Sequence, residues 1–465
     1  MPSRESFEPV RMRRVAILAP AESLRDVLVE VAARGTAEIE TAPEADAGPA
    51  ARMLVALPHD EGTDAGLVRT CPDVEALAEA GRADLITGES QLEVRAAAAV
   101  SRGEVCGVLG WTPAAEVEPL AGILAPHGGA VVALPTPRGV DTPSLVHSKG
   151  RLNKSFAPLV DTYATVPYED VDPTVLAGLA FAVMFGMMFA DAGQGTLLLI
   201  AGVLLAANRI PKLSAIRRIW PFVVGSAAMA IFFGVLFGQF FGPTGVLPVL
   251  WFDPLEDPTL LLGIAVGIGA CMLAVAYVIG TINRWREGGW RLALVSSSGV
   301  AGIVVFLALG LLGLGVYSGS SSLVTAGVAV GIGGLVLSYI GLFAASSGGG
   351  AGAAEAGVEL FDGVIRLGTN LISFARLAAF GLAHAALLAM VWDGTTALWA
   401  MGGLAVLAAI AVFLLGNAVT FVLEGVVSGV QAMRLEYYEL FSKIFVSEGR
   451  AFRPWFVPTT EERVP

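Results

Sequence analysis

The chain has 465 residues, of which 55% are hydrophobic and 15% are charged, and its formal net charge at pH 7 is −12. An ordinary soluble protein has about 25% charged residues, so this composition excludes a wholly soluble globular protein. The negative charge and the lack of a basic stripe argue against nucleic-acid binding. The three cysteines and four histidines show neither a disulfide framework nor a metal-binding spacing, and no GxxxxGK[ST] loop is present. We therefore expect no metal, no other cofactor and no nucleotide site.

Charge is distributed unevenly along the chain. Residues 1–172 contain 26 Asp and Glu against 15 Lys and Arg, whereas the rest of the chain contains 15 against 14 and is mainly apolar. This pattern predicts an acidic soluble domain followed by a membrane domain. The first residues lack the apolar core of a signal peptide, so the soluble domain is expected to stay in the cytosol.

The soluble domain, placed at residues 1–140, has the pattern of an α+β fold. Short apolar runs predict strands at 15–20, 53–58 and 130–135. Helical periodicity predicts helices at 23–35, near 74–82 and at 114–125. Prolines punctuate the following segment, which we assign as a linker over residues 141–172.

The second part contains eight apolar segments that could cross a bilayer, which takes about 20 residues each. They lie at 173–189, 191–207, 219–241, 259–283, 292–316, 322–344, 361–391 and 397–440. The last two exceed the bilayer thickness and should be tilted or extend beyond it. The predicted fold class is thus an all-α polytopic membrane domain of eight spans over residues 173–445. A small α+β cytosolic domain precedes it, and a cytosolic tail follows at 446–465.

Basic residues occur in alternate predicted loops. Arg and Lys occur around 209–218, around 284–291 and in the tail, whereas the loops at 242–258, 317–322 and 393–396 have none. The Gly- and Ala-rich loop at 346–357 does not discriminate. Because basic loops favour the cytosolic side, we predict a cell-membrane protein with both termini in the cytosol.

Among the charged residues inside the predicted spans, four stand out as candidates for function, because charge is costly in lipid. They are Asp191, Arg376, Glu424 and Arg434. Three of them have a structural alternative: Asp191 can cap a helix, Arg434 can extend to lipid head groups, and Arg376 can pair with a nearby carboxylate. His384 can equally be a packed core histidine. These residues alone indicate an ion-conducting or ion-coupled membrane protein, and a secondary transporter stays possible.

Several segments in order resemble subunit a, called subunit I in prokaryotes, of the V-type and archaeal-type rotary ATPases (the 116 kDa subunit family). VLGWTPAAEVEPL at 108–120 is similar to the family's GW-x-P segment, and FGMMFADAGQG at 185–195 resembles FGMMxGDxGxG. SFARLAAFGLAHAAL at 373–387 resembles SYxRLxALxLAHAxL. LEGVVSGVQAMRLEYYELFSKIF at 423–445 resembles MEGxSAxLHxLRLxWxEFxxKFY. The resemblance covers most of the chain.

The resemblance implies a non-catalytic stator subunit that forms two ion half-channels against a ring of rotor proteolipid subunits. Peripheral-stalk and other rotary ATPase subunits would be further partners. By motif, Arg376 and Arg434 match the two half-channel arginines, Glu424 matches the carboxylate ten positions before the second, and His384 matches the histidine of LAHA. The secondary candidates are Asp191, Gln431, Gln239 and Ser373. Gln431 stands where eukaryotic members have His, and Gln239 occupies a position that is usually acidic.

In the implied mechanism, Arg376 favours the ionised form of each passing rotor carboxylate, because a nearby opposite charge lowers the pKa of an acid. The transported ion, proton or sodium, is left open. The family's cytosolic part contains a long coiled-coil arm, and this chain has no heptad run, so its stalk contacts are expected to differ. The alternatives are a non-conducting assembly or regulatory membrane homologue and an independent secondary transporter.

Overall fold

The computed structural model describes residues 9–41, 48–56, 65–136, 140–145, 155–157, 159–160, 162–163, 165–207, 217, 219–445 and 449–460. The chain divides into two compact units. One comprises Pro9–Val146 and Gly449–Pro465, and we call it the α/β unit. The other comprises Met1–Glu8 and His147–Glu448, and we call it the membrane unit.

The α/β unit is a mainly antiparallel sheet covered by helices. Its elements are β1 (Met12–Pro20), α1 (Leu24–Arg34), β2 (Glu38–Ile39), α2 (Pro49–Ala56), β3 (Leu67–Val68), α3 (Val74–Glu79), α4 (Ala83–Ala97), β4 (Val100–Arg102), β5 (Val105–Pro113), α5 (Val117–Leu124) and β6 (Ala130–Leu134). The sheet order is β2-β5-β1-β6, with β4 also paired to β5. Val15, Ile17 and Ala19 of β1 are buried in the core with α1. The strands predicted at 15–20 and 130–135 and the helix predicted at 23–35 are confirmed.

The strand predicted at 53–58 is wrong for its described part, because α2 is a helix that ends at Ala56. A short apolar run does not by itself distinguish a strand from a buried helix. In the folded chain, Met53 and Leu54 pack together against a cluster that includes Leu77 and Leu85. Residues 57 and 58 lie outside the described residues.

The C-terminal segment forms part of the α/β unit. Its strand β7 (Thr459–Thr460) pairs in parallel with β3. Trp455 is buried, and its indole Nε1 donates to Oε1 of Gln91 at 3.1 Å while the Arg95 guanidinium lies 4.3 Å from its ring centre. A segment that the sequence-based division treats as a separate tail therefore contributes to the core of this unit.

The membrane unit is all-helical in its described residues. Its helices are α6 (Thr174–Met188), α7 (Ala192–Ala206), α8 (Trp220–Phe237), α9 (Pro258–Val295), α10 (Val300–Ser318), α11 (Ser321–Ala345), α12 (Gly349–Ser373), α13 (Ala375–Met401), α14 (Ala405–Leu435), a π-helix (Glu436–Phe441) and α15 (Ser442–Ile444). In the part of the chain that the structure describes, six helical stretches are long and apolar enough to cross a membrane: 220–237, 258–295, 300–318, 321–345, 349–401 and 405–444. The chain is therefore a multi-pass membrane protein. Helices α6 and α7 coincide with the first two predicted spans but have only 15 residues each, so the count of eight stays a prediction.

Three predicted loops are wholly or partly helical instead. Residues 284–291 lie in α9, which bends at Gly289 (φ 72°), and residues 393–396 lie inside α13. Most of 346–357 belongs to α12. The turn before α14 lies instead at Gly402 and Gly403, whose positive φ values of 70° and 57° suit glycine. Of the basic residues predicted at 209–218, only Arg217 is among the described residues.

Candidate functional site

A junction between two helices positions Arg376. Phe374 separates α12 from α13 and is fully buried, and its ring lies against Gly269 of α9. A Cβ atom at Gly269 would stand 2.2 Å from Cγ of Phe374, so only glycine leaves room for the ring. This contact fixes the backbone two residues before Arg376.

Arg376 forms an ion pair with Glu439 of the π-helix. Its Nη2 donates to Oε1 of Glu439 at 3.1 Å, and the two side chains are 25% and 6% exposed. Nη1 of Arg376 and Oε2 of Glu439 have no hydrogen-bond partner among the described residues. Ser373 and Arg434 lie near the same carboxylate. The structure thus gathers Ser373, Arg376 and Arg434 around a carboxylate that the sequence analysis did not name.

Arg434 lies on the outside of the helix bundle. It is exposed in the last turn of α14, whereas Gln431, one turn earlier, is half-buried. Oε1 of Gln431 has no hydrogen-bond partner within the part of the chain that the structure describes. Arg434 is therefore available to groups outside this chain.

Helix α14 buries a polar stripe and exposes an apolar one. Asn417, Thr420, Glu424 and Ser428 are all buried, and their spacing of three or four residues places them on one face. Apart from Arg434, the exposed residues are mainly aliphatic and include Val419, Val422, Leu423, Val426 and Val430. Oε2 of Glu424 and Oγ of Ser428 lack hydrogen-bond partners among the described residues. The stripe therefore has spare capacity to bind water or an ion.

His384 is packed rather than hydrogen-bonded. Its side chain is 1% exposed, its ring centre lies 4.9 Å from that of Phe189, and neither ring nitrogen has a hydrogen-bond partner in the described residues. Phe189 also contacts Phe421 of α14. The structure brings His384 near α14 without bonding it to Glu424 or Arg376.

Asp191 has the capping role that the sequence analysis weighed. Its fully buried carboxylate accepts hydrogen bonds from the backbone N–H groups of Gln194, Phe241 and Gly242 at 2.7, 3.0 and 2.8 Å. The carbonyl of Gln239 accepts from Ala192 N–H at 3.0 Å. These bonds fasten the loop after α8 to the start of α7.

Two buried amides beside this junction, Gln194 and Asn417, are not among the residues that the sequence motifs indicate. Nε2 of Gln194 donates to Oδ1 of Asn417 at 3.1 Å, which joins α7 to α14. The signal was present, because an amide in an apolar span needs a partner.

A second group of carboxylates lies just before α6. Asp170 is fully buried, and burial together with the nearby Glu287 raises its pKa to about 7. Burial also raises the pKa of Asp172, whose carboxylate accepts from Thr174. Within the described residues, no group of three or more His, Cys, Asp or Glu is arranged to hold a metal ion.

Comparison with known proteins agrees with this architecture. The model of the V-type ATPase 116kDa subunit family matches residues 102–243. An A-type ATP synthase subunit I from Pyrococcus horikoshii is 27% identical over 364 residues, which cover 75% of this chain and 53% of that protein. The subunit I proteins of Aeropyrum pernix and Halobacterium salinarum are 27% and 25% identical, and the matches cover 69% and 68% of this chain and 51% and 52% of those proteins. The chain spans about half the length of these curated relatives. These matches relate the chain to the V-type ATPase 116kDa subunit family.

Proposed function

We propose that this chain is the stator membrane subunit of a V/A-type rotary ATPase. It would form two ion half-channels against a rotor ring and couple the translocation of protons, or alternatively sodium, to rotation. The observation that carries the proposal is the Arg376–Glu439 pair inside the membrane unit, in which each partner keeps a polar atom without a hydrogen bond among the described residues. The relatives named A-type ATP synthase subunit I support it.

Arg376 would act on the rotor carboxylates. A rotor carboxylate that reaches Arg376 would accept a hydrogen bond from its partly exposed guanidinium while Nη2 stays bonded to Glu439. The guanidinium lowers the pKa of the arriving acid and so favours release of its proton. A fixed positive charge between the half-channels also opposes the direct passage of a cation from one to the other.

The inner half-channel would begin in a polar cavity beside Glu439. This cavity has a volume of about 380 Å³ and is lined by residues that include Asn370, Tyr438, Ser442 and Lys443. Oγ of Ser442 donates to the carbonyl of Glu439 at 3.3 Å, so the cavity wall adjoins the ion pair. A polar cavity of this size has room for several waters.

The outer half-channel would follow the polar stripe of α14 to Glu424. Glu424 precedes Arg434 by ten residues, which is about 15 Å along a helix. The two paths therefore end at different depths, as separate half-channels require. Glu424 would exchange protons with rotor carboxylates at the end of the outer path.

The exposed face of α14 would contact the rotor. It presents aliphatic residues such as Val426 and Val430 together with the exposed Arg434. Aliphatic side chains allow two membrane proteins to slide past each other without breaking polar bonds. We further propose that both termini are cytosolic, that the 242–258 loop faces outside, and that peripheral-stalk subunits are partners.

The decisive experiment replaces Arg376 in the complete complex reconstituted into vesicles. Arg376→Ala should abolish ATP-driven ion transport while the complex still assembles. Arg376→Lys should fail or nearly fail, because an ammonium lacks the planar fork that can hold two carboxylates. The matched control is Arg291→Ala, since Arg291 is an exposed arginine of the membrane unit that does not line the polar cavity beside Glu439. Transport at the wild-type rate by assembled Arg376→Ala complexes would reject the proposal in favour of a non-conducting homologue.

A further inference from the structure

Two buried amides bridge α7 and α14 at one end of the polar stripe. Gln194 is fully buried and donates to Asn417 at 3.1 Å, and Nδ2 of Asn417 donates to the carbonyl of Phe413 at 3.0 Å. Oε1 of Gln194 has no hydrogen-bond partner in the described part of the chain. Buried polar atoms of this kind are commonly satisfied by ordered water.

Asn417 is in line with Glu424. Seven residues of α-helix turn through about 700°, so the two side chains leave α14 in nearly the same direction, about 10 Å apart along its axis. Thr420 lies between them on the same buried face. Three or four hydrogen-bonded waters at about 2.8 Å spacing span this distance.

A third amide continues the row on the other side of Gln194. Gln239 is 2% exposed, and its Oε1 likewise has no hydrogen-bond partner among the described residues. Its backbone carbonyl bonds Ala192 N–H, which places it beside the first turn of α7. The chain then enters the 242–258 loop, where side chains such as Leu250 are exposed.

We propose that Gln239, Gln194 and Asn417 form a polar neck of the outer half-channel, which orders a file of water between the 242–258 loop and Glu424. This inference rests on the proposed function and adds positioning residues to it. The amides do not titrate in the physiological range. Their part is to hold water in register by donating and accepting hydrogen bonds, while Glu424 takes up and releases the proton.

The test measures ATP-driven proton transport by the complete complex in vesicles, with transport normalised to the amount of assembled complex. Asn417→Leu and Gln194→Leu should each lower transport by about tenfold or more, because positioned proton transfer is lost. The double variant should lose no more than either single variant, since the two amides act as one element. Thr395→Val is the matched control, because among the described residues this buried hydroxyl donates to the carbonyl of Val391 in its own helix.

A second variant distinguishes a role of Asn417 in the proton path from a role in packing alone. Asn417→Asp keeps the size of the side chain and introduces a titratable group into the proposed water file. Its transport should become dependent on the pH of the outer compartment, and Asn417→Gln should recover part of the wild-type rate without that dependence. A purely structural amide would give no such change in the pH profile.

The outcomes are distinguishable. Wild-type transport by both leucine variants, where Arg376→Ala stops transport, would overturn the neck and leave the proposed function standing. Wild-type transport by Arg376→Ala as well would reject both. If the leucine variants do not assemble, the Asn417→Asp variant decides, and an unchanged outer pH profile overturns the inference.

Discussion

Substitutions of Asp191 distinguish most sharply between a structural and an ion-conducting role of a buried carboxylate, because the hydrogen-bond donors to both of its oxygens are known. Oδ1 accepts from Gln194 and Phe241, and Oδ2 accepts from Gly242, all within 3.0 Å. Asp191→Asn can keep the two bonds to Oδ1 but sets an NH₂ group against the Gly242 N–H. One bond is lost and one buried donor is left unpaired, which predicts a destabilisation of about 1–3 kcal/mol.

Asp191→Ala removes all three bonds and leaves three buried N–H groups. After partial relaxation of the loop, we expect a loss of about 3–5 kcal/mol in the free energy of unfolding of the membrane unit. Asp73→Ala is the matched control, because Asp73 is an exposed cap that accepts from Glu75 and Ala76 N–H. Its removal should cost about 0.5–1 kcal/mol.

The assay is SDS titration of the purified chain in mixed micelles, followed by far-UV circular dichroism. Transport by the reconstituted complex is measured in parallel and normalised to assembled protein. A capping role predicts that Asp191→Asn lowers the unfolding midpoint while the surviving complexes transport at close to the wild-type rate. Unchanged stability with lost transport would refute this reasoning and make Asp191 an ion-path carboxylate.

Two further predictions follow from close packing and from a buried acid. Gly269→Ala should destabilise the membrane unit by about 1–3 kcal/mol and reduce transport, because it displaces Phe374. Gly267→Ala on the same helix should be neutral or stabilising, because a Cβ atom there meets nothing within 4 Å. Equal effects of the two substitutions would contradict the packing argument. Because the folded-state pKa of Asp170 is raised from 3.8 to about 7, its contribution to stability is present below pH 4 and lost as the pH rises through 7. Unfolding midpoints at pH 5 and pH 8 should therefore differ more in the wild type than in Asp170→Asn, and identical differences would contradict a protonated buried acid.

The hydrophobic pattern of a short segment was enough to predict an element that buries one face against its neighbours. The run at 15–20 alternates in burial and lies in the middle of the sheet, and the helix at 23–35 ends at Gly35, whose φ of 64° is the left-handed conformation expected at a helix end. The strand prediction at 53–58 is wrong for its described part, because Met53 and Leu54 pack against a cluster made mainly of helical residues, with Val68 as its strand member. The runs at 15–20 and 53–58 are both short and apolar, and they differ in the elements against which they pack.

Loops in the membrane unit were harder to predict than spans. Polar residues at 393–396 suggested a turn, but Thr395 and Thr396 donate to carbonyls of their own helix at 2.7 and 3.0 Å. Threonines whose hydroxyls are hydrogen-bonded in this way lower the local hydropathy without ending the helix. Positive φ at Gly402 and Gly403 marks the actual turn, and glycines are too frequent in this chain, 56 in all, for that signal to stand out.

Glu439 shows why the candidate site was only partly predictable. The sequence analysis considered pairing of Arg376 with a neighbouring carboxylate but could not choose one, since Glu439 lies 63 residues away. Position within the predicted span favours Glu424 as the functional carboxylate, because it falls in the middle of the apolar segment, whereas Glu439 falls near its end. The pairing depends on the Phe374–Gly269 contact and on the π-helix, which together set the direction of two side chains on different helices. Such directions arise from packing between helices, and hydropathy along one helix carries no information about them.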